Sequence, residues 1–426
     1  MSLSERDLQV IWHPYTQMQT AKPPVAITRG AGAWLYSEDG KEYLDAISSW
    51  WTNIHGHAHP YLAEQIYKQA STLEHLIFAG FTHAPAVKLA EMLLPLLPEG
   101  QSRVFYSDNG STAVEVALKM AIQYWSNQGL TRTRFIAMKE AYHGDTFGAM
   151  SVSGRSAFTK AFDSLMFEVD YIEAPVPGNE LQALAELQVL LNDKSKEIAG
   201  FIYEPMLQGT AGMRIMQAGT FSEMINLCKA SGILCIADEV MTGFGRTGPM
   251  FASEYFQYAP DMVCLSKGLT GGMMALGVTT SSEKIYKAFL SDDRMKTLFH
   301  GHSYTANPIA CAAGVASLEL FEKEKTLEKV SAIATLHAAF IKKVGAHPAL
   351  SSIRTIGVVL AMEIKTGEGT GYFNNVRDEA LNYFLERKVI IRPLGNVLYL
   401  LPPYCISEAD LHYIYGVIIL YLDSRL

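Results

Sequence analysis

Between Ile233 and Gly272 the chain reads ILCIADEV, then MTGFGRTGPMFASEYFQYAPD, then MVCLSKGLTGG. Two short apolar runs each end on one ionisable side chain, the first at Asp238 and the second at Lys267. Runs of this length bounded by turn signals read as buried strands of a parallel sheet. Ligands of open α/β sheets sit beyond the carboxyl ends of the strands. A carboxylate and an amine are therefore expected on the same rim of one sheet.

Such a pair suits a cofactor that needs an acid at a ring nitrogen and a lysine for a Schiff base, and pyridoxal 5'-phosphate (PLP) is one such cofactor. Its ring draws electrons only while the pyridine nitrogen holds a proton, which a carboxylate at about 3 Å in a low dielectric favours. Lys267 must be neutral to attack a carbonyl, and burial beside a cationic ring lowers its pKa. A buried Asp–Lys ion pair is the competing reading, and these two residues alone do not separate the alternatives.

Helical patterns and apolar runs alternate around this stretch. Leu62, Ile66, Ala70, Leu73 and Ile77 keep a helical stripe. RVFYS (103–107), RFIAM (134–138) and AGFIYEP (199–205) read as strands. STAVEVALKMAIQYW (111–125), NELQALAELQVLL and FSEMINLCKA read as helices, the last with Phe221, Met224, Ile225 and Cys228 inward. That order predicts an α/β fold, a mostly parallel sheet with helices on both faces. AWLYSEDGKEYLDA (33–46) predicts a hairpin through Asp39-Gly40. After Asn307-Pro308 a long helical segment is expected to about 345, and the remainder reads as a smaller α+β unit. The expected division is an N-terminal arm and hairpin (1–50) packing with the small domain, a large domain (51–320) and the small C-terminal domain (321–426).

The chain has 426 residues, 49% of them hydrophobic, which is ample for a large core. A net charge of −8 without a Lys/Arg run argues against nucleic-acid and anionic-membrane partners. MSLSERDLQVIWHPY shows no apolar signal core, and the most apolar tail segment, Ile414 to Leu422, is too short to span a bilayer. Three of the five cysteines (Cys228, Cys235, Cys264, Cys311, Cys405) sit in apolar runs, as reduced thiols of a cytoplasmic protein would. His55, His57 and His59 alternate like metal ligands, but Gly56 and Pro60 argue for a loop, and no metal site is expected.

YSDNGSTAVEVALK (106–119) is strand, tight loop, then helix. Free N–H groups and the macrodipole make such a helix start an anion site, and Gly110 allows close approach while Ser111 and Thr112 donate. An ordinary Ser or Thr cap, with Glu115 closing a capping box, is the alternative. GFGRTG (243–248) mimics a dinucleotide fingerprint, but Pro249 follows where a helix is required. A turn presenting Arg246 to the sheet rim fits better.

Taken together, NGSTAVEVALK, AYHGD, Glu204-Pro205, ADEVMTGFGRTG and LSKG resemble the class III aminotransferases among the fold-type I PLP enzymes. The resemblance covers nearly the whole chain. It implies a seven-stranded, mostly parallel central sheet, a smaller α+β domain, PLP as cofactor, and a homodimer with shared active sites. By it, Lys267 is the Schiff-base lysine, Asp238 the pyridine-nitrogen partner and Tyr142 the aromatic on the ring face, with His143 in support. Gly110 and Ser111 resemble the phosphate loop. Ser303, in HGHSYTANP, resembles a phosphate contact donated across the dimer interface, with Gly301 beside it on the substrate side. Gly301-His302-Ser303 stands where some members carry Gly-Pro-Thr, and the hydroxyl is kept.

Within that class, IWHPYTQMQ, SSWW and IRPLGNVLYLLPPY are similar to the branch that converts 8-amino-7-oxononanoate to 7,8-diaminononanoate in biotin synthesis, with S-adenosylmethionine as amino donor. This implies that Tyr15 and Trp50 line the substrate pocket, Tyr15 also serving catalysis, and that Arg392 grips the distal carboxylate of the keto acid with Tyr399 near it. Asp145 and Arg246 are implied as further pocket residues. The implied reaction is a ping-pong transamination in which Lys267 moves the Cα proton. A branch acting on ω-amino acids or ornithine shares the core motifs, and a lysine-using form of the same step stays open.

Overall fold

The structure is a computed structural model, and it describes residues 1–367 and 374–426. Near the start, β1 (Ile27–Ala31), β2 (Trp34–Ser37) and β3 (Glu42–Asp45) form an antiparallel meander. Gly40, at φ 78, makes the expected turn between β2 and β3.

β4 (Gln101–Ser107), β5 (Arg134–Met138), β6 (Val169–Ile172) and β7 (Ile198–Tyr203) follow, then a ribbon of β8 (Leu207–Gln208) and β9 (Arg214–Ile215). β10 (Leu234–Asp238), β11 (Met262–Leu265) and β12 (Gly277–Ser282) complete a seven-stranded sheet in the order β4-β12-β11-β10-β7-β5-β6. β12 runs antiparallel to both β11 and β4, and the other pairings are parallel. Every residue of β7, β10 and β11 is buried, which is why these strands read as continuous apolar runs.

Helices cover both faces. Ile236 of β10 packs with Val114, Ala117 and Ala121 of the helix Gly110–Ser126. Its neighbours Cys235 and Ala237 point the other way and pack with Phe221, Met224, Ile225 and Cys228 of the helix Ala218–Ala230. The period-two alternation of the strand thus feeds two separate cores.

Beyond the sheet, β13 (Leu350–Ile356), β14 (Val359–Ile364) and β16 (Val397–Leu400) form an antiparallel sheet. β15 (Val389–Ile390) instead pairs parallel with β3, with Val389 opposite Leu44 and Ile390 opposite Asp45. The hairpin near the start and the C-terminal region therefore share one sheet. The helix Glu408–Asp423 holds Ile414, Val417, Ile418 and Tyr421 inside. Among the described residues no helix is long and apolar enough to cross a membrane.

Two helical expectations need correction. The stripe from Leu62 to Ile77 is helical only over Pro60–Ala70, and Ile77 is 60% exposed. The hydroxyls of Ser71 and Thr72 turn back onto the carbonyls of Tyr67 and Lys68, an arrangement that competes with further helix. The segment after Pro308 is two helices, Pro308–Lys323 and Thr326–Val344, broken at Lys325 with φ 52. The Thr326 hydroxyl donates to the carbonyl of Leu320 at that corner.

Candidate active site

β10 and β11 lie side by side with Asp238 opposite Cys264, so both deliver their next residues to one rim. Asp238 ends its strand, and Lys267 opens a short 3-10 turn just past the other. Lys267 has φ 45, a left-handed conformation that costs a non-glycine residue about 1–3 kcal/mol and persists only where its surroundings hold it. Its amine lies over the ring of Trp51, 4.6 Å from the centroid. Burial is the main reason the amine is pulled down from its ordinary value to about 8, and Arg246 adds to it while Asp238 and Glu204 oppose it. Asp238 is 5% exposed. Its carboxylate accepts from His143 Nδ1 at 2.6 Å and from the backbone of Val240 at 3.1 Å.

The loop Tyr142-His143-Gly144-Asp145 wraps this pair. The Tyr142 backbone donates to Glu204 Oε2 at 3.1 Å, and the His143 backbone donates to Ser153 Oγ at 2.8 Å. Glu204 also accepts from the Gly209 backbone at 3.0 Å, and its burial raises its carboxyl to about 7. Gly144, at φ 136, has no room for a side chain, because a Cβ would meet Ser111 Oγ at 1.9 Å. That close approach lets the Asp145 backbone donate to Ser111 Oγ at 3.0 Å, leaving the Ser111 proton free to point elsewhere. With its Nδ1 proton given to Asp238, His143 Nε2 is a buried acceptor with no partner among the described residues.

The helix Gly110–Ser126 starts at the same rim. Its cap is Asn109, whose side chain accepts from the Thr112 backbone while the Thr112 hydroxyl returns to Asn109. Glu115 plays no part in that box. It accepts from the Thr146 hydroxyl and the backbones of Gly148 and Ala149. The first N–H groups of the helix, at Gly110 and Ser111, have no intrahelical acceptor, so with the Ser111 hydroxyl they form an anion cradle. Together these residues line a cavity of about 440 Å³ that includes Asp238, Lys267, Tyr142, His143, Trp51 and Glu204. That volume is in the range of small-molecule sites.

The remaining expected residues lie around that cavity and outside its lining. Tyr15 donates to Asp145, and its hydroxyl is 3.4 Å from that of Tyr142. Its ring meets Trp50 edge-on at 5.8 Å. Trp50 and Arg392 line a second cavity of about 420 Å³, where the guanidinium sits 4.7 Å from the Trp50 ring centroid. Tyr399 is buried against Trp51, whose indole N–H donates to its hydroxyl at 3.0 Å. Arg246 does not face the rim openly as expected. It is 1% exposed and donates to the Trp51 carbonyl at 2.7 Å, and the bend at Gly357-Val358 packs on the turn that carries it. Gly301 and Ser303 are exposed and do not line either cavity.

Sequence reasoning passed over Trp51 and gave Glu204 no role. Glu204 directly follows β7, so the strand-end rule that singled out Asp238 applies to it equally. Nothing in SSWW says which indole faces which way. His55, His57 and His59 go to separate partners, Ser317, Asp45 and Glu324. No group of side chains suited to a metal occurs among the described residues.

A family model described as aminotransferase class-III matches residues 15–422. The chain is similar to the adenosylmethionine-8-amino-7-oxononanoate aminotransferase of Synechococcus elongatus, 45% identical over 422 residues and covering 97% of this chain and 98% of the relative. It is 36% identical to the relative of the same name from Staphylococcus aureus, over 96% of this chain and 94% of the relative. The crystal structure of the enzyme of that name from Methanocaldococcus jannaschii superposes with a TM-score of 0.93 at 36% identity, covering 99% of this chain and 98% of the other. An omega transaminase from Pseudomonas jessenii in complex with PMP does so with a TM-score of 0.93 at 26% identity, covering 100% and 98%. The fold is that of the fold-type I transaminases.

Proposed function

The chain belongs to the class-III aminotransferases, and on that premise we propose that it is a PLP-dependent enzyme aminating 8-amino-7-oxononanoate to 7,8-diaminononanoate, with S-adenosylmethionine as amino donor. The observation that carries this reading is the joining of Asp238, Lys267 and the helix start at Gly110 in one cavity. Near full-length similarity to relatives named for that reaction supports the substrate.

The residues fit PLP. Gly110 and Ser111 would hold its phosphate, Tyr142 would cover its ring, Asp238 would face its pyridine nitrogen and Lys267 would carry it. When bound, PLP supplies an electron sink for the carbon next to the transferred amine. Asp238, braced by His143, would keep a proton on the pyridine nitrogen. Lys267 would take the proton from the substrate Cα and deliver it on the cofactor side of the transferred nitrogen, the shift that an amine transfer requires. An amine pulled down to about 8 is uncharged often enough near neutral pH to act as that base. Trp51 and Tyr142 wall the reacting carbon from water, which strengthens the electrostatic contacts within. Tyr15, held by Asp145, orients the substrate at the mouth, and Trp50 leads to Arg392, whose forked donors suit the distal carboxylate.

We assign Gly301 and Ser303 to the neighbouring site of a homodimer, because both are exposed on this chain and away from its own cavity. The division into 1–50, 51–320 and 321–426, with the arm docked on the small domain, is supported by the pairing of β3 with β15. Residence in the cytoplasm completes the proposal and accords with four buried thiols.

The test is a donor assay on the purified protein by visible spectroscopy. A yellow protein bleached by S-adenosylmethionine bears the proposal out. Bleaching by lysine alone keeps the biotin step and changes the donor. Bleaching by an ω-amino acid alone moves the protein to another class III branch. A colourless protein that takes up no added PLP overturns the cofactor assignment.

A further inference from the structure

Adjacent tryptophans face different cavities. Trp51 lines the inner cavity and Trp50 the outer one. A regular strand could separate two neighbours by its period-two alternation, but this pair sits in an irregular turn. The turn that does so carries Ser48 at φ 50, Ser49 at φ 60 and ψ −98, and Trp51 at φ 65. Three non-glycine residues of four in the left-handed half of φ space require an outside holder.

The holder is visible. Asp45, at the end of β3 and 0% exposed, accepts from the Ile47 backbone at 2.9 Å and the Ser49 backbone at 2.6 Å. His57 Nε2 approaches the same carboxylate at 2.8 Å. His57 is itself wedged against Gly30, where a Cβ would meet it at 2.6 Å. On the far side of the turn, the Ser48 hydroxyl donates to the Leu401 carbonyl at 2.7 Å.

We propose that Asp45, steadied by His57, is a positioning residue that sets the Trp50-Trp51 turn and thereby places Trp50 against Arg392 for recognition of the acceptor's distal carboxylate. The proposal rests on the substrate reading above. Asp45 borders the outer cavity but is 0% exposed, and it acts through the backbone of Ser49. An asparagine there offers one acceptor and turns an N–H₂ toward donors, so the turn relaxes. A substrate-positioning group displaced by about 1 Å costs on the order of 10²-fold in rate.

The experiment compares both half-reactions of the holoenzyme for wild type, Asp45→Asn, His57→Gln and the double variant Asp45→Asn with Ser49→Gly. Asp45→Asn is expected to retain the visible absorbance, to lower kcat/KM for 8-amino-7-oxononanoate about 10²-fold, mainly through KM, and to leave the donor half-reaction within about threefold. Ser49→Gly should restore about tenfold of that loss, because glycine enters φ 60, ψ −98 without strain. His57→Gln, which keeps both backbone contacts, should fall between. Equal losses in both half-reactions, no loss at all, or no rescue by Ser49→Gly overturns the proposal. If Asp45→Asn does not fold, His57→Gln alone decides by the same KM split. If the wild type does not turn over the keto acid, the substrate reading fails on its own. The brace is then judged by the near-ultraviolet circular dichroism of the tryptophans, which must change in Asp45→Asn and return in the double variant.

Discussion

The two cavities on either side of the Trp50-Trp51 turn are built from different material. The inner one is walled by strand ends and one helix start, and its polar side chains are tied into a mesh. Asp238 holds His143, Glu204 holds the backbones of Tyr142 and Gly209, and Ser111 holds Asp145. The outer one is assembled mainly from a strained turn and segments near the end of the chain, supplying Trp50 and Arg392, and Tyr15 of the arm meets Trp50 edge-on. In the proposed function, chemistry that must be positioned tightly sits on the sheet, where backbone position is set by two separate cores, and recognition of one substrate sits on pieces that can vary without disturbing the sheet.

If that division is real, changes in the inner cavity abolish all chemistry, and changes in the outer one separate the half-reactions. Lys267→Ala is expected to show no multiple turnover with any donor and no covalent cofactor spectrum, measured by steady-state assay and absorbance. Normal turnover there would sink the inner assignment. Arg392→Ala is expected to cost about 2–5 kcal/mol in kcat/KM for the keto acid, by analogy with truncating one partner of a buried charge pair. Pre-steady-state bleaching by the donor should stay near wild type, and equal impairment of both halves would erase the contrast. Ser111→Ala removes one donor to a charged group and should weaken cofactor affinity by about 1.5–3 kcal/mol, read by titration of the apoprotein, with substrate KM values unchanged once loaded. The mildest effect is of pH. Only the uncharged Lys267 amine attacks the cofactor, so cofactor uptake by the apoprotein should rise as pH climbs through about 8 and level off above it. A midpoint near the ordinary lysine value would show that the amine is not buried as described.

The same contrast governs what the sequence discloses. Asp238 and Lys267 were legible because each ends an apolar run, and the sheet rule then places them together. The helix start at Gly110 was legible by its loop, although the cap proved to be Asn109 with Thr112 rather than a box closed by Glu115. Tyr15, Trp50 and Arg392 carry no local signal of pairing, since the contacts among them join separate stretches of the chain, and only family resemblance pointed to them. The burial of Arg246 was hidden because Gly-rich turns normally face water, and here the distant Trp51 turn and the bend at Gly357-Val358 pack on it. The early helix stop after Ala70 was hidden because two hydroxyls, not an apolar pattern, decide it.

Trp51 lies directly beneath the amine of Lys267. Any chromophore held there that absorbs in the near ultraviolet falls within resonance-transfer range of the indole. The protein therefore carries a built-in gauge of its own occupancy, since tryptophan emission should dim as the cofactor loads and recover as it leaves. Exchange of the prosthetic group can be followed in real time without a label, on a residue that lines the inner cavity.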